Sequence, residues 1–289
     1  MKKINIILLI ALIFVSCSTV KETEKYKVSE EANFFWKVKS SSATVYLFGS
    51  IHLAKQEMYP LQQKIEDAFE SSDAIVVELD INKVNPMLML QKAMYQDERT
   101  LESELTKETY KRLEALLIVH KVPKMAYYKM KPWMAMMTVL LLELNDSGFD
   151  KSLGIDNYFL DKVKDKKEIL ELETAEEQLD LFDKELGNMQ NEFIDYSLLD
   201  QNLWLQQIDT LVQFWKTGNI KEMEKYILEP VAEHPEFAGI LDKIYTQRNL
   251  KMTAKIEDYL KTDKKYFVIV GAAHLIGEEG VVELLRKKK

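Results

Sequence analysis

Two ten-residue segments near opposite ends of the chain carry one pattern. Residues 44–53 read TVYLFGSIHL and residues 266–275 read YFVIVGAAHL. Each is an apolar run suited to a buried strand, followed by Gly, two small or apolar residues, His and Leu. A Gly at a strand end permits a tight turn or a close backbone approach. The His then lies just beyond the carboxyl end of its strand, where open α/β sheets gather their ligands. The match predicts that strands from both ends of the chain share one sheet. The run Ala74–Leu79, AIVVEL, adds a third buried strand, with Glu78 near the same edge.

The remaining pattern fits an α/β fold: a mixed central β-sheet with flanking helices and a large helical insertion in the middle of the chain. Phe34–Lys39 and Thr44–Phe48, separated by Ser40, Ser41 and Ser42, read as a hairpin. Pro60–Ser71 has helical spacing, with Leu61, Ile65, Ala68 and Phe69 on one side. The insertion is expected over about residues 85–260. Within it, Leu101–Lys121, Trp133–Leu144, Thr174–Lys184, Gln190–Trp215, Lys221–Leu228 and Glu236–Leu260 read as helices, and Lys167–Leu172 as a short strand. Trp133–Leu144 is apolar nearly all round. It is too short to span a bilayer, which takes roughly 20 apolar residues, so it reads as a buried helix. Gly277–Arg286 closes the chain as a short helix. Six Pro and nine Gly in 289 residues argue against a turn-rich barrel or a disordered chain. No repeat of 20 to 50 residues is present.

The first residues read as an export signal. Lys2 and Lys3 precede the apolar run Ile4–Val15, interrupted only by Asn5, and Ser16 and Cys17 follow. Phe14-Val15-Ser16-Cys17 resembles a bacterial lipobox, with Phe in place of the usual Leu. The expectation is a leader over residues 1–16, lipid on Cys17, and a flexible tether over 17–32 that links the anchor to a domain at 33–289. The protein would then be an exported, membrane-anchored lipoprotein of the cell envelope. Cys17 is the only cysteine, so a thiol nucleophile, a disulfide and a Cys-based metal site are excluded within the fold. Losing residues 1–16 moves the net charge from −8 to −10, with 37 basic against 47 acidic residues. Such a chain, whose only basic stretch is Lys287–Lys289, has no electrostatic footprint for nucleic acid.

The chemistry implied is that of two imidazoles and a carboxylate. His52, Glu78 and His274 on one sheet edge suit a borderline divalent ion with positions left open for water and substrate. Glu78 could ligate the ion or act as a base. His120 and His234, the other two of the four His, read as structural or solvated. A lone strand-end His is more often structural; the pairing is what changes the weighting. No His-Glu-x-x-His, Gly-x-Ser-x-Gly or Gly-Lys-Ser/Thr segment is present.

Taken in order, the segments Leu47–His52, Val77–Leu79, Gly154–Asp156, Leu172–Thr174, Arg248-Asn249 and Val270–His274 resemble the TraB/GumN family, which includes the Tiki proteases and the pheromone-shutdown proteins of bacterial plasmids. The resemblance spans about residues 34–285. It implies a metal-dependent hydrolase, since Tiki members are metal-dependent proteases and related erythromycin esterases use similarly placed His and Glu residues. Carried onto this chain, it falls on His52, Glu78 and His274 as metal ligands and catalytic groups. Arg248 is then a substrate or oxyanion group, and Asn249 and Ser50 are substrate-binding residues. Asp156 and Glu173 also match, with helix capping as an equal reading. Mn, Co or Zn would be the ion, and a peptide or small ester the substrate. The alternative is an envelope protein that binds a peptide signal or partner without turnover. This sequence stops at Lys289, where the family pattern often continues into a Gly-Tyr-containing strand, which leaves the sheet edge open.

Overall fold

The computed structural model describes residues 25–163, 166–198, 201–233, 235 and 238–288. The leader, Cys17 and His234 lie outside them.

Six strands form one mixed sheet: β1 Lys27–Ala32, β2 Phe35–Lys39, β3 Thr44–Ser50, β4 Ala74–Val77, β5 Glu168–Glu171 and β6 Lys265–Gly271, in the order β1-β2-β3-β6-β4-β5. The expected hairpin is β2–β3, with Val38 opposite Val45. β3, β6, β4 and β5 are all parallel, and the two matched segments are direct neighbours, paired from Thr44 with Lys265 to Ser50 with Gly271. In β6, Tyr266 to Val270 are buried without a break, as are all four residues of β4. A parallel strand covered on both faces requires that continuous apolar run. Each fully buried Val, Ile or Phe contributes ~1.5–3 kcal/mol.

Alternate residues of β6 meet different layers. Phe267 packs on Phe69 and Phe159, at ring-centre distances of 5.7 and 5.0 Å, from the helices Gln63–Glu70 and Ile155–Val163. Tyr266 faces the other way and stacks on Tyr259 at 4.7 Å, at the end of the helix Arg248–Tyr259. The sheet is therefore sandwiched between helical layers. The middle of the chain builds two further cores. One joins Leu113 and Leu117 to Met136, Val139 and Ile194; the other joins Ala93 and Trp133 to Leu179 and Leu186.

Several expectations change. Lys27–Ala32, read as tether, is the edge strand β1. Its sequence KVSEEA is polar because an edge strand is half solvated, and its charges discourage pairing with another chain. The insertion over 85–260 is not continuous: Ile155–Val163, β5 and Arg248–Tyr259 return to the sheet. The helix expected from Leu101 starts at Lys107, capped by the Thr106 side chain. Gln190–Trp215 divides into Gln190–Ser197 and Gln201–Thr217. Glu236–Leu260 contains a wide π-helical stretch, Asp242–Gln247, immediately before Arg248. The helix through Trp133 runs Pro132–Asp146, and among the described residues no helix is long and apolar enough to cross a membrane.

Candidate functional site

Four adjacent parallel strands deliver four side chains to one edge. In spatial order, His52 follows β3, His274 follows β6, Glu78 follows β4 and Glu173 follows β5.

His52 is held by Asp156. Its Nδ1 lies 2.9 Å from Asp156 Oδ2, and Ser50 Oγ donates to Asp156 Oδ1 at 3.0 Å. Gly154 makes this possible: a Cβ there would lie 2.2 Å from the His52 carbonyl oxygen. With no side chain at 154, the helix Ile155–Val163 begins against the His52 backbone, and Ile155 N–H donates to Ile51 O at 3.1 Å. Asp156 in its first turn then meets the imidazole. The Asp156 charge outweighs partial desolvation and raises His52 to about 9. Burial pushes Asp156 up, but the His52 charge and the hydrogen bonds from His52 and Ser50 hold it below the usual carboxylate range.

His274 is held by Asn249. Its Nδ1 lies 2.6 Å from Asn249 Oδ1, while Asn249 Nδ2 donates to Glu279 O at 2.8 Å. The amide orientation is fixed by that second bond, so Nδ1 carries the proton and Nε2 keeps its lone pair. Burial lowers the His274 pKa, in contrast to His52.

Glu78 is pinned at both oxygens. Oε1 accepts from Gly271 N–H at 2.6 Å, and Oε2 accepts from Arg248 Nη2 at 2.8 Å. Burial raises its pKa, yet the charges of His274, His52 and Arg248 and the Gly271 bond overcome this, so it stays ionised. Arg248 also grips Glu173: Nε reaches its two oxygens at 2.9 and 3.0 Å, and Nη2 reaches Oε2 at 2.6 Å. Gln178 Nε2 adds a bond to Glu173 at 2.9 Å.

Gly271 is the floor of the site. A Cβ on it would lie 3.4 Å from Glu78 Oε1, 3.6 Å from His274 Cδ2 and 3.9 Å from His52 Nε2. Its φ of −50° and ψ of 135° are open to any residue, so what Gly supplies here is space.

Two imidazoles and a carboxylate are donor types that a divalent ion accepts. Each ring has Nδ1 held by an oxygen, which is how His ligands are oriented. His274 Nε2 and Glu78 Oε1 are 3.8 Å apart, a spacing open to two donors each ~2.0–2.2 Å from one ion. Among the described residues, no three His, Cys, Asp or Glu stand close enough to hold a metal as they are. His52, with 65% of its side chain exposed, would have to move onto the pair.

His52, Glu78, His274, Arg248, Asn249 and Ser50 thus meet at one edge, as do Asp156 and Glu173. Three of them have contacts that sequence could not foresee. Arg248 is committed to two carboxylates, Asn249 to His274, and Ser50 to Asp156; all three position other site residues. Gln178 and Tyr245 went unread. Tyr245, in the π-helical stretch, packs its ring 5.4 Å from that of His274. Such wide turns recur at functional sites, but no sequence signal announces one. His120 sits apart in the helical layer, with Asp146 3.2 Å away. Beside His274, a cavity of about 490 Å³ shares Tyr245 and Asn249 with the site.

Residues 34–289 match the TraB/PrgY/gumN family, and the chain belongs to it. The YbaP protein of Escherichia coli (strain K12) is 24% identical over 246 residues, covering 83% of this chain and 87% of its own length. A protein of Treponema pallidum (strain Nichols) is 21% identical, covering 97% of this chain and 89% of its own. A metalloprotease TIKI homolog of Amphimedon queenslandica is 22% identical, covering 98% of this chain and 66% of its own. No solved structure matches significantly.

Proposed function

We propose that this member of the TraB/PrgY/gumN family hydrolyses a peptide or small ester bond at the carboxyl edge of its sheet. The observation that carries the reading is the opposed fixing of two imidazoles around Gly271. Asp156 holds one and Asn249 the other, and Glu78 lies beside them as a carboxylate. The similarity to a protein named as a metalloprotease homolog supports it.

His52, His274 and Glu78 Oε1 would hold the ion. Mn, Co or Zn bound there would acidify a water and polarise the scissile carbonyl. Glu78, kept anionic and oriented by Arg248 and Gly271 N–H, is a ligand or the acceptor of the water's proton. Arg248 is bound up with Glu78 and Glu173, so the developing oxyanion needs another donor. Tyr245 suits this role: among the described residues its hydroxyl has no hydrogen-bond partner, and burial raises its pKa and keeps it protonated.

The full chain, stripped with chelator, should regain activity on peptide and ester libraries when one of these ions is added. Glu78→Gln separates the two roles: a variant that binds metal but is inactive assigns the base, and one that loses metal assigns the ligand. The Arg248–Glu78 ion pair, which occupies one oxygen of the carboxylate, favours a second reading, peptide binding without turnover. That reading takes over if no ion restores activity and His52→Ala and His274→Ala retain the cellular function.

Export and lipid on Cys17 complete the proposal and put the substrate in the cell envelope. Cys17→Ala should release the protein into soluble fractions or leave it unprocessed. Mass spectrometry finding an unmodified Cys17 in the processed protein would overturn that part.

A further inference from the structure

We infer that the cavity beside His274 is a specificity pocket for a Lys or Arg side chain of a peptide. The inference rests on the proposed peptide site and names its substrate class. The cavity, about 490 Å³, is the size of a ligand pocket and lies against the reacting groups, since Tyr245 and Asn249 form part of its wall and both contact His274. Ile227, Leu241 and Ile276 give it apolar sides.

Its charge is one-sided. Glu224, Asp242, Glu278 and Glu279 line it, and among the described residues no Lys, Arg or His does. Glu224 is half-buried, with a carboxylate oxygen 3.1 Å from where a Gly277 Cβ would stand. Among the described residues, none of these four acids is paired with a basic side chain. Asp242 has only the amide of Gln247, at 2.9 Å. Elsewhere on the molecule carboxylates commonly have partners, such as Glu185 with Lys243 and Asp183 with Lys131. Lys287 Nζ donates to the Glu278 carbonyl oxygen at 2.9 Å and, among the described residues, to no rim carboxylate. Apolar walls under this acidic rim match a cation on an aliphatic stem, which buries its methylenes and leaves its charge at the mouth. A neutral apolar group would leave the rim unmatched, and an acidic one would be repelled.

The test is binding, measured on the full chain in detergent with chelator present, so that it is independent of turnover. Fluorescent peptides, all N-acetylated to remove the α-amine, differ at one position: Lys, Arg, ε-acetyl-Lys or Glu. Lys and Arg peptides should bind at least about tenfold tighter than the other two. Glu224→Gln and Asp242→Asn together should reduce that ratio by about three- to tenfold, the effect of losing two surface charge pairs. An unchanged thermal midpoint verifies that the variants fold. Equal binding of Lys and acetyl-Lys peptides, a ratio untouched by the two substitutions, or no binding of the Lys peptide at millimolar concentration overturns the pocket. Charge-selective binding with no turnover under any divalent ion keeps the pocket and removes the hydrolase. Turnover without preference for Lys or Arg does the reverse.

Discussion

Gly271→Ala separates the site from the fold. The added methyl would make ordinary contacts of 3.4, 3.6 and 3.9 Å with Glu78, His274 and His52. Carbon contacts at ~3.5–4.0 Å are attractive, and the backbone angles suit alanine. Reduced freedom of the unfolded chain should therefore leave stability unchanged or raise it by ~0.4–1 kcal/mol. Function should fare differently. The methyl occupies the space into which an ion ~2.1 Å from these donors, or the reacting carbonyl, must come. The expected loss in kcat/KM is at least ~100-fold, about 2.7 kcal/mol of transition-state stabilisation, with a parallel loss of bound metal. Thermal unfolding, elemental analysis and peptide turnover read the three quantities. Gly49→Ala is the contrast: its Cβ would sit 3.0 Å from Ala272 Cα, so it should lose stability by ~1–3 kcal/mol. If Gly271→Ala folds, binds metal and turns over like the parent, the three groups do not share a site over that glycine.

Without metal, stability should be greatest near neutral pH. The raised His52 pKa contributes stability fully present below ~6.5 that is lost as pH rises through about 9, and Asp156→Asn should remove this alkaline limb. The lowered Asp156 and Glu78 contribute stability present above ~4.5 that is lost as pH falls through their folded values, and the lowered His274 adds to the acid limb. Midpoints measured across pH in chelator that stay flat would refute both assignments. An ion must displace the His52 proton, so metal affinity should climb with pH toward 9. Arg248→Met leaves Glu78 and Glu173 as unpaired buried carboxylates and should cost ~3–5 kcal/mol in denaturant titration, against little change if the pair were solvated.

The central site was legible because its parts are local. A continuous apolar run followed by Gly-x-x-His marks both strand and functional end, and the matched ends implied neighbouring strands. The positioning groups were named, but what each one holds was not legible. Asp156 lies in the first turn of a helix, where an acid is favoured by the helix dipole whether or not it meets a His. The bonds of Arg248 to Glu78 and of Asn249 to His274 join elements remote in sequence, and their pairing cannot be read from either partner alone. β1 escaped because an edge strand with Lys27, Glu30 and Glu31 has the composition of a tether. The π-helical stretch escaped because its residues are ordinary helix formers.

β3 and β6 pair side by side, yet roughly 220 residues separate their glycines. A chain that emerges N-terminus first supplies β6 after the other five strands of the sheet. Until β6 arrives the place between β3 and β4 has no strand, and Glu78 lacks its Gly271 partner. A chain that ends between β5 and residue 265 therefore has the edges of β3 and β4 unpaired and half a site. Completion of the sheet and completion of the site are the same event in the life of the chain.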